Sequence, residues 1–512
     1  MLTRLKVSGF KNLVDVDVRF GPFTCIAGGN GVGKSNLFDA IRFLSALASM
    51  TLLEAALSIR GAAEKLADVR SLFHHANGKY AETMSFEADM IIPKTGKGEF
   101  VAEIEADATF LRYKLVLGYR ESGKQPNPNV LEIIEESLLP VAPEDINASL
   151  SFLGKNYQWL DSILVRNNVS PIFFTRAEEG ENKLVFPENS WHTEEKTLSI
   201  SAALNGTGLS VTHFFTDGSG ELARQEMQSW RVFDFEPSAL REPSLVTKPP
   251  YLGANGSQLA AALYRIAHSH AARRQTDNDE DADKPPVYQY LANRLRELID
   301  DVRGLRVDYD AVGERYTLWV TGKDGTEHNA RSLSDGTLRF LAYAASIFDD
   351  EATGVLCYEE PENGIHPERI TKLLRVFQHI AVDVNEPVSP SNPLRQVIIS
   401  THSPGVVQQV LADTLLLAQL REKVVDGKRF KRLFFEALPD TWRTANDEDA
   451  KWFAPGRLLP YFNPSPYQWP DEEDETNKNA SENGNTTHPP ESVRVMDRPD
   501  LQIAAPWGNR ET

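Results

Sequence analysis

The sequence predicts an α/β fold with a mixed sheet, and three observations indicate it. Residues 23–27 form an apolar segment typical of a buried strand, followed by a glycine-rich loop and then by a helix with one apolar face. Two later apolar segments, 355–360 and 397–402, also end in polar side chains. Alternating apolar and polar residues over 84–92 and 112–117 indicate a separate antiparallel β subdomain.

The glycine-rich loop is the strongest signal in the chain. It reads Gly28-Gly29-Asn30-Gly31-Val32-Gly33-Lys34-Ser35 and fits the phosphate-loop pattern G-x-x-x-x-G-K-[ST]. The glycines let backbone N–H groups face phosphates, and the helix behind them adds the positive end of its dipole. Lys34 can reach the β- and γ-phosphates, and the hydroxyl of Ser35 can bind Mg²⁺. The predicted nucleotide-binding residues are Asn30, Gly31, Gly33, Lys34, Ser35 and Asn36.

Composition and charge limit the classes of protein to which the chain can belong. The chain has 512 residues, 41% hydrophobic and 25% charged, which is ordinary for a soluble protein of two or three domains. A formal net charge of -19 argues against broad nucleic-acid binding, although it is compatible with a local basic groove. Cys25 and Cys357 lie in apolar segments, so we expect buried thiols rather than a disulfide or a metal site. Because we find no signal peptide and no long apolar run, we expect a cytoplasmic protein without a membrane span.

The chain divides into four predicted segments. They are an N-terminal half with the phosphate loop and the β subdomain, a mainly helical insertion of unassigned role, a C-terminal half, and a C-terminal extension; their bounds are 1–141, 142–330, 331–440 and 441–512. The extension is acidic and rich in Asn and Ser from about residue 470, where we expect disorder. Its earlier part, 442–469, is rich in aromatic residues and proline and could pack on the core or dock a partner.

Within these segments the periodicity predicts further elements. Residues 100–104 and 130–141 are predicted to extend the antiparallel sheet, and residues 415–418 and 433–435 to form two closing strands. In the insertion we expect helices over 161–169, 259–270 and 288–302, a short strand starting at 231, a hairpin of 305–309 with 316–321, and a mobile acidic loop over 275–286.

The strand 355–360 ends in two carboxylates. In phosphate-loop ATPases such a strand brings its acidic end to Mg²⁺. Glu359 is therefore predicted to hold the metal shell together with Ser35, and Glu360 to deprotonate the attacking water. A charged strand end is also common in α/β proteins that lack this chemistry.

Two more elements complete the set. Ser334-Asp335-Gly336 precedes an apolar-faced helix, and Ser334 fits an N-cap. The strand 397–402 ends at His402, which can sense a γ-phosphate. Each of these signals is weak alone, because helix caps and strand-end histidines occur in many proteins.

Together and in this order, the four motifs resemble the ABC-type ATPase core, and within it the SMC/RecF/OLD-like branch of the AAA family ATPases of bacterial genomes. The similar segments are Leu5-Lys6-Val7-Ser8-Gly9-Phe10-Lys11-Asn12, the phosphate loop through Asn36, Glu359-Glu360-Pro361-Glu362-Asn363-Gly364-Ile365-His366-Pro367 and Ser400-Thr401-His402-Ser403-Pro404. The resemblance covers about residues 1–120 and 330–435.

The resemblance implies that two such cores bind ATP and Mg²⁺ head to tail. The Ser334-Asp335-Gly336 signature of one copy would act in trans on the γ-phosphate bound by Lys34 of the other, with Glu360 as general base and His402 as switch histidine. A phosphate loop alone leaves the far side of the γ-phosphate open, and a helix N-terminus from a second subunit would close it. Two departures stand out: Glu359 replaces the usual Asp, and no Q-loop glutamine is identifiable.

Some relatives carry features that we do not find here. SMC-type proteins have long coiled coils, whereas this sequence has no sustained heptads. OLD-like nucleases carry a C-terminal Toprim domain that needs an Asp-x-Asp motif at a strand end. Asp447-Glu448-Asp449 lies instead in a polar run, so we expect a stand-alone ATPase without nuclease activity.

Three functions stay open at this level. The first is an ATP-driven switch that dimerises and controls a separately encoded effector in anti-phage defence or a toxin-type system. The second is a RecF-like DNA repair or replication ATPase, supported by a basic cluster within residues 421–432. A transporter subunit is the least favoured, because its coupling Q-loop is not identifiable.

Overall fold

The structure is a computed structural model, and it describes most of the chain. The described residues are 1–59, 69–99, 101–121, 129–154, 156–167, 170–178, 181–187, 195–199, 206–212, 218–274, 286–298, 301–425, 428–444, 452–462 and 493–498. The predicted acidic loop at 275–285, the motif Asp447-Glu448-Asp449 and most of the tail after residue 462 lie outside these ranges.

The strands of the described chain group into three main sheets. Their bounds are β1 Leu2–Ser8, β2 Val16–Arg19, β3 Phe23–Ala27, β4 His75–Ala76, β5 Lys79–Tyr80, β6 Thr83–Ile91, β7 Thr95–Gly96, β8 Ile104–Glu105, β9 Phe110–Glu121, β10 Asn129–Pro140, β11 Phe173–Glu178, β12 Glu181–Phe186, β13 Lys196–Ser199, β14 Arg231–Phe233, β15 Ser244–Leu245, β16 Val302–Asp310, β17 Arg315–Gly322, β18 Glu327–Asn329, β19 Gly354–Glu359, β20 Arg395–Thr401, β21 Leu415–Val425 and β22 Lys428–Ala437.

The α-helices of the described chain follow the same order. They are α1 Lys34–Leu47, α2 Leu52–Leu57, α3 Pro143–Ser149, α4 Tyr157–Ile163, α5 Gly218–Gln228, α6 Pro237–Arg241, α7 Leu259–Arg274, α8 Pro286–Leu298, α9 Asp335–Phe348, α10 Ile370–Ile380, α11 Pro404–Gln409 and α12 Leu459–Phe462.

The central sheet has the strand order β14-β19-β20-β3-β21-β22. Neighbours from β14 to β21 run parallel, and β22 returns antiparallel to β21, so the sheet is mixed as predicted. Alternate side chains of its middle strands enter two different apolar cores: Ile26 and Cys357 pack on the side of α1, while Cys25 and Tyr358 pack on the side of α9 and α10. Burial on both faces explains why these strands are nearly continuous apolar runs.

The second sheet is the antiparallel β subdomain, with the order β13-β12-β11-β10-β9-β6-β1-β2. The predicted strands at 84–92, 112–117 and 130–141 are confirmed as β6, β9 and β10. The prediction for 100–104 is wrong over most of its length: among the described residues 101–104, only Ile104 belongs to a strand, β8, which pairs with β7.

The segment 142–330 contains strands as well as the predicted helices. Strands β11 to β13 extend the β subdomain, β14 forms the edge of the central sheet, and β15 to β18 form a third sheet. The hairpin of 305–309 with 316–321 is confirmed as β16 and β17. The helix predicted over 161–169 is wrong after Ile163, because α4 starts earlier, at Tyr157, and ends at Ile163. The helix predicted over 288–302 is too long, because α8 ends before Val302, which starts β16.

The C-terminal extension packs on the core where it is described. Phe453 is 1% exposed within the core on the α9 side, and the indole of Trp442 donates a hydrogen bond to the carbonyl of Asp413 over 3.0 Å. The disorder expected from residue 470 is wrong for 493–498, because Val495 is fully buried and its N–H donates to the carbonyl of Val410. Within the described residues, no helix is long and apolar enough to cross a membrane.

Candidate functional site

The site lies at the carboxyl ends of β3, β20 and β19. Thr401 is in register with Ala27, and Ser400 is in register with Glu359, so the three strands end at one edge of the sheet. The N–H of Gly28 donates to the carbonyl of Thr401 over 3.1 Å, and the N–H of Glu360 donates to the carbonyl of Ser400 over 2.9 Å. Ligands of open α/β sheets bind at such an edge, and three of the four predicted motifs meet here.

The phosphate loop connects β3 to α1 as expected. Gly29, Asn30 and Gly31 are exposed at its tip, whereas Lys34 is only 6% exposed. The Nζ of Lys34 donates to the carbonyls of Gly28 (2.7 Å) and Gly29 (2.9 Å). Burial lowers the pKa of Lys34, although the charges of the neighbouring glutamates act against this shift. These two bonds therefore hold the side chain of Lys34 inside the loop. To contact a phosphate, its Nζ would have to give up part of this hydrogen bonding.

The two predicted metal ligands are in direct contact. The hydroxyl of Ser35 donates to Oε2 of Glu359 over 2.9 Å, and Glu359 is 9% exposed. Hydroxyl and carboxylate oxygens are the ligands that Mg²⁺ prefers, usually alongside waters and substrate phosphates. The pair fits a Mg²⁺ ion bound jointly with a nucleotide, and the longer Glu359 takes the place of the usual Asp.

Glu360 and His402 form a second pair beside the first. Nδ1 of His402 lies 2.9 Å from Oε1 of Glu360, and the amide of Asn363 donates to Oε2 of Glu360 over 3.0 Å. Burial would raise the pKa of Glu360, but these two contacts and the His402 charge outweigh it and lower the pKa. Glu360 also has φ 43°, a backbone conformation that is uncommon for a residue with a side chain and that occurs frequently at functional sites. The carboxylate is ionised at neutral pH, as a general base requires.

The signature residues lie on α9, which starts at Asp335. Ser334 is the N-cap, as predicted, and its hydroxyl accepts from the N–H of Thr337 over 3.2 Å. Asp335 forms an ion pair with Arg241, and Gly336 packs so closely on Gly364 that an added Cβ would lie 2.1 Å from the carbonyl oxygen of Gly364. Ser334 and Asp335 are exposed, so a second molecule can approach the start of the helix.

Two residues at the site were missed as individual candidates. The amide of Asn12 donates to the carbonyl of Val32 (3.1 Å) and accepts from the amide of Asn36 (2.8 Å), and a Cβ on Gly33 would lie 2.1 Å from it. Asn12 therefore buttresses the phosphate loop. Glu362 is 7% exposed and hydrogen-bonds to Thr401. Both residues lie in segments that resemble the family, and this resemblance is the sequence signal that could have identified them.

Basic side chains at two places form ion pairs with acidic side chains of the same chain. Lys11 forms an ion pair with the buried Asp39 over 2.7 Å. In the basic cluster, Arg421 pairs with Glu436 and Arg432 pairs with Asp15. The side chains of Lys423, Lys428 and Arg429 lie outside the described part of the structure.

The sequence also matches a family model from the phosphate loop to His402. The family is described as "AAA domain, putative AbiEii toxin, Type IV TA system", and the match covers residues 23–408, from β3 into α11. The chain belongs to this family. The prediction of an SMC/RecF-like AAA family ATPase is confirmed, and as a member of this AAA family the chain is an ATP hydrolase.

Curated relatives match over a short stretch. The DNA replication and repair protein RecF from two strains of Porphyromonas gingivalis is 44% identical to this chain over 46 residues, which are 9% of this chain and 13% of each relative. The chain therefore covers far less than two thirds of these relatives, and the activity of whole RecF does not transfer to it.

Solved structures similar to this AAA family member include SMC heads. The SMC head bound to the C-winged helix domain of ScpA has 12% identity and a TM-score of 0.41, with 85% of this chain and 98% of that chain covered. The SMC head domain from Thermotoga maritima has 12% identity and a TM-score of 0.33, with the same coverage. Because these scores are low, the assignment depends on the family match and on the site.

Proposed function

We propose that this ATPase is an ATP-driven switch that dimerises through its nucleotide sites and controls a separately encoded effector, in a bacterial anti-phage defence or toxin-type system. The observation that carries the proposal is the exposure of the two surfaces that would meet in such a dimer. The tip of the phosphate loop is exposed at Gly29–Gly31, and the N-terminus of α9 is exposed at Ser334 and Asp335. The name of the family, which refers to a toxin and a Type IV TA system, supports the biological setting.

In the proposed dimer each site is completed by the other copy. Lys34 and the loop N–H groups hold the β- and γ-phosphates from one side, and the N-terminus of α9 of the second copy approaches from the other side. Ser35 and Glu359 would hold Mg²⁺, which would neutralise phosphate charge. Glu360 takes a proton from the attacking water, and His402 orients Glu360 through its 2.9 Å contact.

The charge of the chain favours a protein effector over DNA. The net charge is -19, and the arginines of the basic cluster with described side chains, Arg421 and Arg432, are paired with acids. Cations already neutralised by neighbouring carboxylates release fewer counterions on binding DNA, so they add little affinity for it.

A RecF-like DNA repair or replication ATPase is the second candidate. The 44% identity to RecF over 46 residues is the specific observation in its favour. The two candidates differ in what the ATP-bound dimer holds, since one needs a protein partner and the other needs DNA.

The deciding experiment is affinity purification of Glu360→Gln, expressed from its own operon and kept in ATP and Mg²⁺. The glutamine preserves shape but cannot accept the proton, so we expect slow hydrolysis and a trapped dimer. Mass spectrometry and nuclease digestion identify what co-purifies. Glu368→Gln is the matched control, because Glu368 is 87% exposed and lies outside the proposed site.

The outcomes separate the candidates. A stoichiometric protein encoded next to this gene, retained by Glu360→Gln and lost from Lys34→Ala, supports the effector switch. Salt-sensitive DNA without such a protein moves the function to the RecF-like candidate. If Glu360→Gln hydrolyses ATP as fast as Glu368→Gln does, the assignment of the general base is wrong.

A further inference from the structure

Glu362 is a buried acid that the proposed chemistry does not use. Its side chain is 7% exposed, and Oε1 accepts a hydrogen bond from the hydroxyl of Thr401, which is fully buried. Within the described part of the chain, Oε2 of Glu362 has no hydrogen-bond partner. Burying a carboxyl oxygen that lacks a hydrogen-bond partner costs free energy, so this residue needs an explanation beyond packing.

Thr401 joins Glu362 to the turn that carries His402. While its hydroxyl donates to Glu362, it also accepts from the N–H of Ser403 over 2.9 Å. Both bonds use the same oxygen, so Glu362 fixes the rotamer of Thr401, and Thr401 fixes the backbone on the far side of His402. This arrangement restrains the turn from residue 401 to residue 403.

Two side-chain bridges therefore connect the turn that starts at Glu360 with the turn from residue 401 to residue 403. The outer bridge is Glu360–His402, whose side chains are 32% and 39% exposed. The inner bridge is Glu362–Thr401, with both side chains buried. Exposed side chains retain rotamer freedom, whereas the buried bridge is held in place by its surroundings. The inner bridge is thus the rigid one of the two.

The charge of Glu362 acts on Lys34 of the phosphate loop. It also acts on the fully buried thiol of Cys25 on β3 and on the fully buried phenol of Tyr343 on α9. Burial raises the pKa of Glu362, although the hydrogen bond from Thr401 acts to lower it. This hydrogen bond is the contact through which Glu362 can act on the turn at His402.

We propose that Glu362 is a positioning residue for ATP hydrolysis: through Thr401 it sets the position of His402 and so the contact of His402 with Glu360. The proposal rests on the roles proposed above for Glu360 and His402. Displacing a catalytic group by about 1 Å can cost a factor of about 10² in rate. Removal of the inner bridge therefore affects turnover more than nucleotide binding.

The test compares Thr401→Val and Glu362→Leu with Glu362→Gln. Valine and leucine remove the bridge, whereas the glutamine carbonyl still accepts from Thr401. We expect kcat for ATP hydrolysis to fall by about 10- to 100-fold in the first two variants, with the Kd for ATP nearly unchanged, and to be retained in Glu362→Gln. The double variant is expected to lose no more than either single variant, because both break one bridge.

A second comparison separates positioning from stability. In a His402→Ala background, Thr401→Val is expected to cost little, because the residue that it positions is gone. Thr441→Val is the matched control, since Thr441 is 1% exposed and donates to the carbonyl of Leu438 over 2.8 Å, away from the proposed site. It is expected to lower Tm without lowering kcat.

Four results would overturn the inference. They are an unchanged kcat in Thr401→Val, an equal cost of Thr401→Val with and without His402, a loss in Glu362→Gln as large as in Glu362→Leu, and a loss of kcat that Thr441→Val reproduces at the same Tm. If His402→Ala and Glu360→Gln themselves hydrolyse ATP normally, the proposed site fails instead, which is a distinguishable outcome.

Discussion

Replacement of Lys34 by methionine tests the phosphate loop most directly. Methionine keeps the length and the apolar stem of lysine and removes only its charge and its donors. In the structure the Nζ of Lys34 donates to two loop carbonyls, Gly28 and Gly29. Nucleotide binding would exchange part of these bonds for contacts to the β- and γ-phosphates.

The expected loss of affinity for ATP follows from this exchange of hydrogen bonds. A hydrogen bond to a charged group contributes about 1.5–3 kcal/mol, and a hydrogen bond with an ionised donor or acceptor is roughly twice as strong as one between neutral groups. Because the lysine gives up carbonyl bonds to make phosphate bonds, we take the net gain as about 1.5–3 kcal/mol. At about 1.4 kcal/mol for each tenfold change, Lys34→Met should weaken ATP binding by about 10- to 150-fold.

Calorimetric titration of the purified protein with ATP, ADP and AMP measures this loss. The affinity for ATP and ADP should fall together, whereas AMP, which lacks the β- and γ-phosphates, should be unaffected. Lys114→Met is the control, because Lys114 lies on the β subdomain in a half-exposed ion pair with Glu135. Equal loss for all three nucleotides, or no loss for ATP, would refute the reasoning.

Three further predictions concern metal, dimer and pH. Glu359→Gln should raise the Mg²⁺ concentration that gives half-maximal ATPase activity by about tenfold, since it removes a charged ligand; an unchanged Mg²⁺ titration would exclude Glu359 as a ligand. Gly336→Ala should abolish ATP-dependent dimerisation in light scattering while monomers still bind ATP, because its Cβ would lie 2.1 Å from a backbone carbonyl that cannot rotate away. Burial raises the pKa of Glu136 from 4.5 to about 7, so the folded state binds more protons and stability should fall by up to about 3 kcal/mol as pH rises from about 4.5 to about 7. In urea unfolding, Glu136→Gln should flatten this pH dependence, and Glu135→Gln, at 45% exposed, should not.

The centre of the fold could be predicted from the sequence because its strands are buried on both faces. Such strands are short apolar runs, and each of the three is followed by residues with recognisable chemistry: the loop with Lys34 after β3, Glu360 after β19 and His402 after β20. The order of the motifs adds information that no single motif has. Parallel pairing then brings the three strand ends to one edge, where the site is found.

The insertion resisted prediction because its pairing is long-range. Strand β14 has only three residues, and nothing local indicates that it pairs with β19 more than a hundred positions later. Composition predicts disorder around Val495, yet the packing of its side chain against the core outweighs the polar sequence around it. Asn12 was overlooked because its role depends on the backbone of a loop twenty residues away. In each case the structure is determined by tertiary contacts that the local sequence pattern does not show.

The contacts of the signature helix explain how an acidic residue can stand at a proposed phosphate-binding surface. The N-terminus of α9 favours an anion through its dipole, but the carboxylate of Asp335 in the first turn would repel a γ-phosphate. Arg241, from the segment 142–330, pairs with Asp335 and also donates to the carbonyl of Leu333 over 3.1 Å. The ion pair neutralises the repulsion and holds the start of the helix in place. The segment whose role the sequence left unassigned therefore contributes directly to the surface that, in the proposed dimer, meets the ATP of the second copy.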